Sequence, residues 1–317
     1  MDFAARSCSS FATMKIASLA AASALALCAF APALLHAQPG QLKLDYVEGL
    51  KVKGLGEAEA PPPALPPLTA RNPAEIEAET GGMLGIAILD PNGTLMLGFN
   101  REERFALCGT QAIPLAAAIL QGAAEGRFSL TDALPAPDSS APGPAQPPIG
   151  ELVQAMLVQG DATARQMLLG YLGGPAALAQ YARDHRDTAS HIDPAAGNQP
   201  ETTTPLALAG LTTRLIHQDL PAPAVRQLRN WMDALPAETR LIGKGLPEGW
   251  SALEVPGRCD TGLASIAIVH SPGNQDYVFA LYLDHPNVAP DRAASALAES
   301  ARSATEILTI IEKRRPR

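Results

Sequence analysis

Apolar residues alternate with turn signals at both ends of this chain and fall at helical spacing between them. Met83 to Leu89 is a short apolar run that stops at Asp90-Pro91-Asn92-Gly93, and Thr94 to Phe99 is a second, so the pair predicts a β-hairpin. Ala116 to Leu120 is apolar on all sides, which predicts a helix in the middle of a domain, ended by Gly126. Ala133 to Pro148 is Pro-rich and irregular. Ile149 to Leu157 and Ala164 to Leu172 read as helices, and Leu172-Gly173-Gly174-Pro175 stops one helix and starts the next. Glu201-Thr202-Thr203-Thr204-Pro205 is a helix entrance, because Thr caps free N–H groups and Pro suits the first turn. Gly262 to Val269 and Tyr277 to Leu283 are strand-like, and Asp291 to Lys313 repeats apolar residues at three- and four-residue steps. Two strands and a helix at each end, with mostly helices between, predict an α+β fold. One antiparallel sheet is built from both chain ends and flanked by N- and C-terminal helices, with a mostly helical insert.

The segments before Ala74 change the picture. Lys15 precedes an apolar run from Ile16 to Leu35 that closes in Leu35-His36-Ala37, the layout of a secretory signal peptide over residues 1–37 cut at Ala37/Gln38. Met14 makes a tidier start than Met1. Pro32 and the processing site argue against a retained transmembrane anchor, so the mature chain is expected to be periplasmic or secreted, with no integral membrane segment. Residues 38–73 carry Ala60-Pro61-Pro62-Pro63-Ala64-Leu65-Pro66-Pro67, a polyproline-like tether that would alternatively serve as a ligand for a partner domain. Residues 74–317 form the folded domain, expected to be a monomer.

Composition then narrows the partners. The formal net charge of −8 becomes −9 once Asp2, Arg6 and Lys15 leave with the signal, a surface that does not favour nucleic acid or an anionic membrane. Only 4% of residues are aromatic, so the helices are expected to pack through Ala and Leu. Of four cysteines, Cys8 and Cys28 leave with the signal and Cys108 and Cys259 stay, an even count that points to one disulfide in an exported chain.

Five stretches together resemble the class A β-lactamase and penicillin-binding-protein family over about residues 75–312. They are Glu103 to Leu120, Gly160-Asp161-Ala162-Thr163-Ala164, Leu172 to Leu178, Glu201 to Pro205, and Leu241 to Trp250. The resemblance implies that fold, and also implies chemistry whose groups are missing here. The family needs a Ser activated by a Lys three positions on, a Ser-Asp-Asn loop, a Lys-Thr-Gly strand and a loop Glu that positions water. At those positions stand Gly109 and Ala112, then Gly160-Asp161-Ala162, then Val255-Pro256-Gly257. The stretch from Asp193 to Glu201 is short and has no Glu before Glu201. The resemblance places the oxyanion donors on the backbone N–H groups of Gly109 and Arg258. It also pairs Cys108 with Cys259, as in the carbapenemase-like branch; a reactive free thiol is the alternative.

Losing both nucleophile and base is expected to end turnover, since either loss alone costs on the order of a millionfold. Thr110 has no base, and a helix would turn it about 100° from Gly109. His185, Asp187, His191 and Asp193 fit no zinc spacing and read as a solvated loop, while His217, His270 and His285 read as surface or satisfied residues. No cofactor or metal is called for. The leading reading is a non-catalytic protein that binds a cell-wall (peptidoglycan) fragment, a β-lactam-like ligand or a protein partner in a vestigial cleft. The competing reading is a β-lactamase-type serine hydrolase with slow or relocated activity. A scaffold acting through its surface and tether is a third.

Overall fold

The computed structural model describes residues 69–134, 147–195 and 200–314. The signal peptide, most of the Pro-rich tether and the middle of the irregular 133–148 stretch lie outside the described residues. The body begins where the Thr69 N–H and hydroxyl both donate to Glu306. Helix α1 (Pro73–Thr80) follows, capped by Asn72, whose side chain accepts from the Ala74 N–H.

Strands β1 (Met83–Leu89) and β2 (Leu95–Phe99) form the expected hairpin. Its turn is held by Asp90, whose Oδ1 accepts from the N–H groups of Asn92 and Thr94. A two-residue strand β3 (Phe105–Ala106) leads to α2 (Ala112–Ala124). The insert continues with α3 (Ile149–Gln154), which widens into a π-helical turn over Ala155–Gln159, then α4 (Ala162–Leu172) and α5 (Pro175–Asp184). Strand β4 (Thr202–Thr203) pairs with β3, and α6 (Pro205–Arg214) and α7 (Ala222–Asp233) follow. The Thr204 hydroxyl accepts from the Ala207 N–H and Pro205 opens the first turn of α6, so the helix entrance is as expected. The chain closes with β5 (Ser251–Cys259), β6 (Gly262–His270), β7 (Asp276–Asp284) and α8 (Pro290–Arg314).

The sheet is antiparallel in the order β2-β1-β7-β6-β5, so strands from the two chain ends meet at β1 and β7. Strands β6 and β7 are buried along nearly their whole length, because both faces of the sheet are covered. Alternate residues serve the two sides. Ala264, Ile266, Ile268, Val278, Ala280 and Tyr282 face the helical insert, while Ala267, Val269, Phe279, Leu281 and Leu283 pack with α1 and α8. Helix α2 is buried from Ala112 through Leu120 at the centre of the insert side, as its all-apolar sequence requires.

Two expectations need correction. The C-terminal part supplies three strands, not two: β5 was missed because Glu254, Pro256 and Gly257 break its alternation. Pro256 is tolerated there because β5 is an edge strand, where a missing N–H costs no ladder bond on the open side. Helix α2 also starts at Ala112, three residues after Gly109. The residues between are held by turns in which the Thr110 N–H donates to Leu107 and the Ala112 N–H to Gly109.

Candidate functional site

Five segments converge on a cleft of about 780 Å³ between the insert and the edge of the sheet. The turn ahead of α2 brings Cys108, Gly109 and Ala112; the end of the π-helical turn and the start of α4 bring Gly160, Asp161, Ala162 and Arg165; the outer strand β5 brings Val255, Pro256, Gly257, Arg258 and Cys259. Glu201 comes from the segment before β4, and Glu238 and Thr239 from the turn after α7. The sequence-derived positions therefore do meet in one place.

Each element reaches the cleft for a local reason. The Gly109 backbone has φ +96°, and an added Cβ would meet open space, so room exists there for a side chain that the backbone conformation disfavours. Gly257 is the reverse case. A Cβ there would stand 2.2 Å from the Cys108 carbonyl oxygen, so only glycine lets β5 and the Cys108 turn approach this closely. Beside it Cys108 and Cys259 are joined in a disulfide, with Cα atoms 4.9 Å apart. Asp161 caps α4, accepting from Thr163 N–H at 2.8 Å and Ala164 N–H at 3.0 Å. Its carboxylate is spent on helix geometry.

Thr110 does not face the cleft. It is fully buried, donating to the Leu107 carbonyl at 2.6 Å and lying 3.1 Å from the Tyr282 hydroxyl. The reason differs from the expected helical rotation, because residue 110 sits in the turn before the helix. Burial holds the Tyr282 hydroxyl well above its usual pKa, so it stays protonated.

The histidine and aspartate set reads differently once placed. His185 Nδ1 lies 2.6 Å from Asp219, and Asp193 accepts from Ala195 N–H. Asp187 is buried rather than solvated, accepting from the N–H groups of Ala189 and Ser190 and from the Ser190 hydroxyl. His270 bonds Asp276 at 2.9 Å, whereas the buried Nε2 of His217 has no partner among the described residues.

Sequence reasoning missed the charged rim. Arg165, Glu201, Glu238 and Asp260 line the cleft together with Asp161 and Arg258, four carboxylates against two guanidinium groups, and no lysine lines it. Glu201, read earlier only as part of a helix entrance, is half-buried; burial raises its carboxyl pKa, with Arg165 pulling the other way. No pattern along the chain marks these residues, because they come from four separate segments.

A five-stranded antiparallel sheet with a cleft between the start of α2, the loop before α4 and strand β5 is the framework of a class A serine β-lactamase. The sequence profile of the β-lactamase enzyme family matches residues 69–308, and the chain belongs to that family. Among its relatives, the β-lactamase of Mycobacterium tuberculosis is 30% identical over 258 residues, covering 74% of this chain and 84% of that protein. The β-lactamase OXY-2 of Klebsiella oxytoca is 27% identical over 251 residues, covering 73% and 87%. A solved variant of the last common ancestor of Gram-negative class A β-lactamases, bound to a nitrobenzotriazole transition-state analogue, superposes with a TM-score of 0.67. It is 30% identical and is matched over 75% of this chain and 97% of that one. Among the described residues, no helix is long and apolar enough to cross a membrane.

Proposed function

We propose that this chain is an exported β-lactamase-fold protein whose cleft binds without acyl transfer. Its occupant is a cell-wall fragment, a β-lactam-like ligand or a protein partner. One observation carries the reading: Gly109 and Ala112 stand in the cleft where the family's nucleophile and base would stand, and neither has a side-chain atom that reacts. The backbone N–H groups of Gly109 and Arg258, both in the cleft lining, remain as weak carbonyl donors. The lining, four carboxylates against two guanidinium groups and no lysine, is negative on balance and disfavours an anionic β-lactam among the three occupants. Export rests on the 1–37 leader and is checked by an N-terminus at or near Gln38 in periplasmic protein.

The second reading is β-lactam hydrolysis, and the names of the relatives favour it, since they are β-lactamases. A chromogenic cephalosporin assay on the mature protein, followed by intact mass after penicillin exposure, separates the two. The expected result is turnover at background and no mass increase. A covalent increment equal to a bound penicillin, mapped to the cleft, would establish the hydrolase reading instead. Gly109→Ser alone should stay at background. It supplies an oxygen without a base, in a backbone conformation that costs a non-glycine residue roughly 1–3 kcal/mol.

A further inference from the structure

Behind the cleft lies a second cavity of about 250 Å³ that shares Ala162, Arg165 and Glu201 with it. That is room for a small organic molecule and not merely for a single water. Leu115, Leu169, Leu178, Ile192 and Pro175 form an apolar wall. Three polar side chains are left with unused capacity. Gln111 is 3% exposed and donates through Nε2 to Glu201 at 3.2 Å, while its Oε1 is buried with no partner among the described residues. Among the described residues the Glu201 carboxylate accepts only that one bond, and the Arg165 guanidinium has no hydrogen bond or ion pair. A half-buried carboxylate that accepts a single bond has capacity left for a ligand N–H.

Opposite charges that attract each other without direct contact, beside an apolar wall, match a ligand that carries both charges and an apolar tail. We propose that this back pocket binds a free aliphatic α-amino acid: its ammonium on Glu201, which keeps its bond from Gln111; its carboxylate on Arg165; its side chain against Leu115, Leu178 and Ile192. A bare cation would leave Arg165 unmatched, and a bare anion would face Glu201. Water would satisfy the amide oxygen and leave the apolar wall wetted.

The test is calorimetric titration of the mature protein with L-leucine and D-leucine, and with two probes each lacking one charge, N-acetyl-leucine and 3-methylbutylamine. Saturable binding of at least one leucine enantiomer is expected, weaker by about tenfold or more for each singly charged probe, and by a similar factor in Glu201→Gln and Arg165→Gln. Both variants should melt no lower than the native protein, since neither side chain anchors an ion pair, and this separates lost binding from lost fold. No heat from either enantiomer at millimolar concentration would overturn the proposal, as would equal binding by both variants or preference for a singly charged probe. The inference is independent of the fate of β-lactams in the cleft. Cephalosporin turnover would overturn the non-catalytic reading and leave leucine binding untouched, and absence of leucine binding would do the opposite.

Discussion

Glu254→Ala should lower the melting temperature by roughly 8 °C or more. Glu254 lies on β5, 1% exposed, with both oxygens committed. Oε1 accepts from the Leu241 N–H at 2.7 Å, the Ile242 N–H at 2.8 Å and the Ser265 hydroxyl at 2.7 Å; Oε2 accepts from the Gly243 N–H at 2.9 Å. One carboxylate thus ties β5 and β6 to the turn that packs under α8. That turn is tight: a Cβ on Gly245 would stand 1.8 Å from the Ala298 carbonyl oxygen. Truncation strands three backbone donors and a hydroxyl. Bonds to a charged group contribute about 1.5–3 kcal/mol each and do not add fully, so a loss of about 4 kcal/mol is expected. A domain of this size loses roughly 2–4 °C per kcal/mol. Glu254→Gln makes the argument specific, because its amide oxygen can keep the three bonds on Oε1, while the Gly243 N–H loses its acceptor and faces an amide N–H. It should cost less than half as much. Thermal melts in which Ala and Gln cost the same, or in which Ala stays within about 2 °C of native, would show that the carboxylate is not what holds this turn.

The same anchor reaches the cleft. Glu238 and Thr239 line it from the segment just before that turn, and Lys244 Nζ donates to the Glu238 carbonyl at 2.7 Å. Loosening the turn should therefore slacken one rim of the site as well as the fold. Glu254, which is not among the cleft-lining residues, thus bears on the geometry of that rim.

What could be read from the sequence divides along a physical line. The β1–β2 hairpin, the α2 centre and strands β6 and β7 were legible because each is specified locally. Asp90 builds its own turn, α2 is apolar all round, and a sheet covered on both faces writes continuous apolar runs into its central strands. The family's framework was legible from the five stretches that resemble it, and the helix entrance at Thr204 from its own capping chemistry. Strand β5 was not, because it is an edge whose residues answer to tertiary demands: Glu254 to a turn, Gly257 to the Cys108 carbonyl, Pro256 to an unpaired flank. The start of α2 was misplaced for a related reason, since the residues before it take positive φ at Cys108 and Gly109 to meet β5. The charged rim was invisible, as nothing in the order of the chain says that Arg165, Glu201, Glu238 and Asp260 surround one space. Side chains that cap, anchor or permit close approach leave local marks, whereas those that merely face a common cavity leave none.

Replacing both Cys108 and Cys259 by Ser should also lower the melting temperature by several degrees, and the loss should be felt at the cleft. The bridge spans a sequence separation of 151 residues, nearly the whole insert and the start of the C-terminal strands. Constraining an unfolded loop of that length is worth about 5 kcal/mol by chain entropy, and roughly 2–4 kcal/mol is usual for measured disulfides. Against a net domain stability of roughly 5–15 kcal/mol that is a large fraction. The bridge sits beside Gly109, between the turn before α2 and strand β5. Its contribution is to hold those two cleft walls together where Gly257 brings them into contact. The double Ser variant should accordingly melt lower than the oxidised protein and match the reduced native protein, while the back pocket, whose lining includes neither cysteine, should keep its affinity for leucine. Equal melting of the oxidised and reduced native chain would show that the covalent link adds nothing the packing of Gly257 against Cys108 does not already supply.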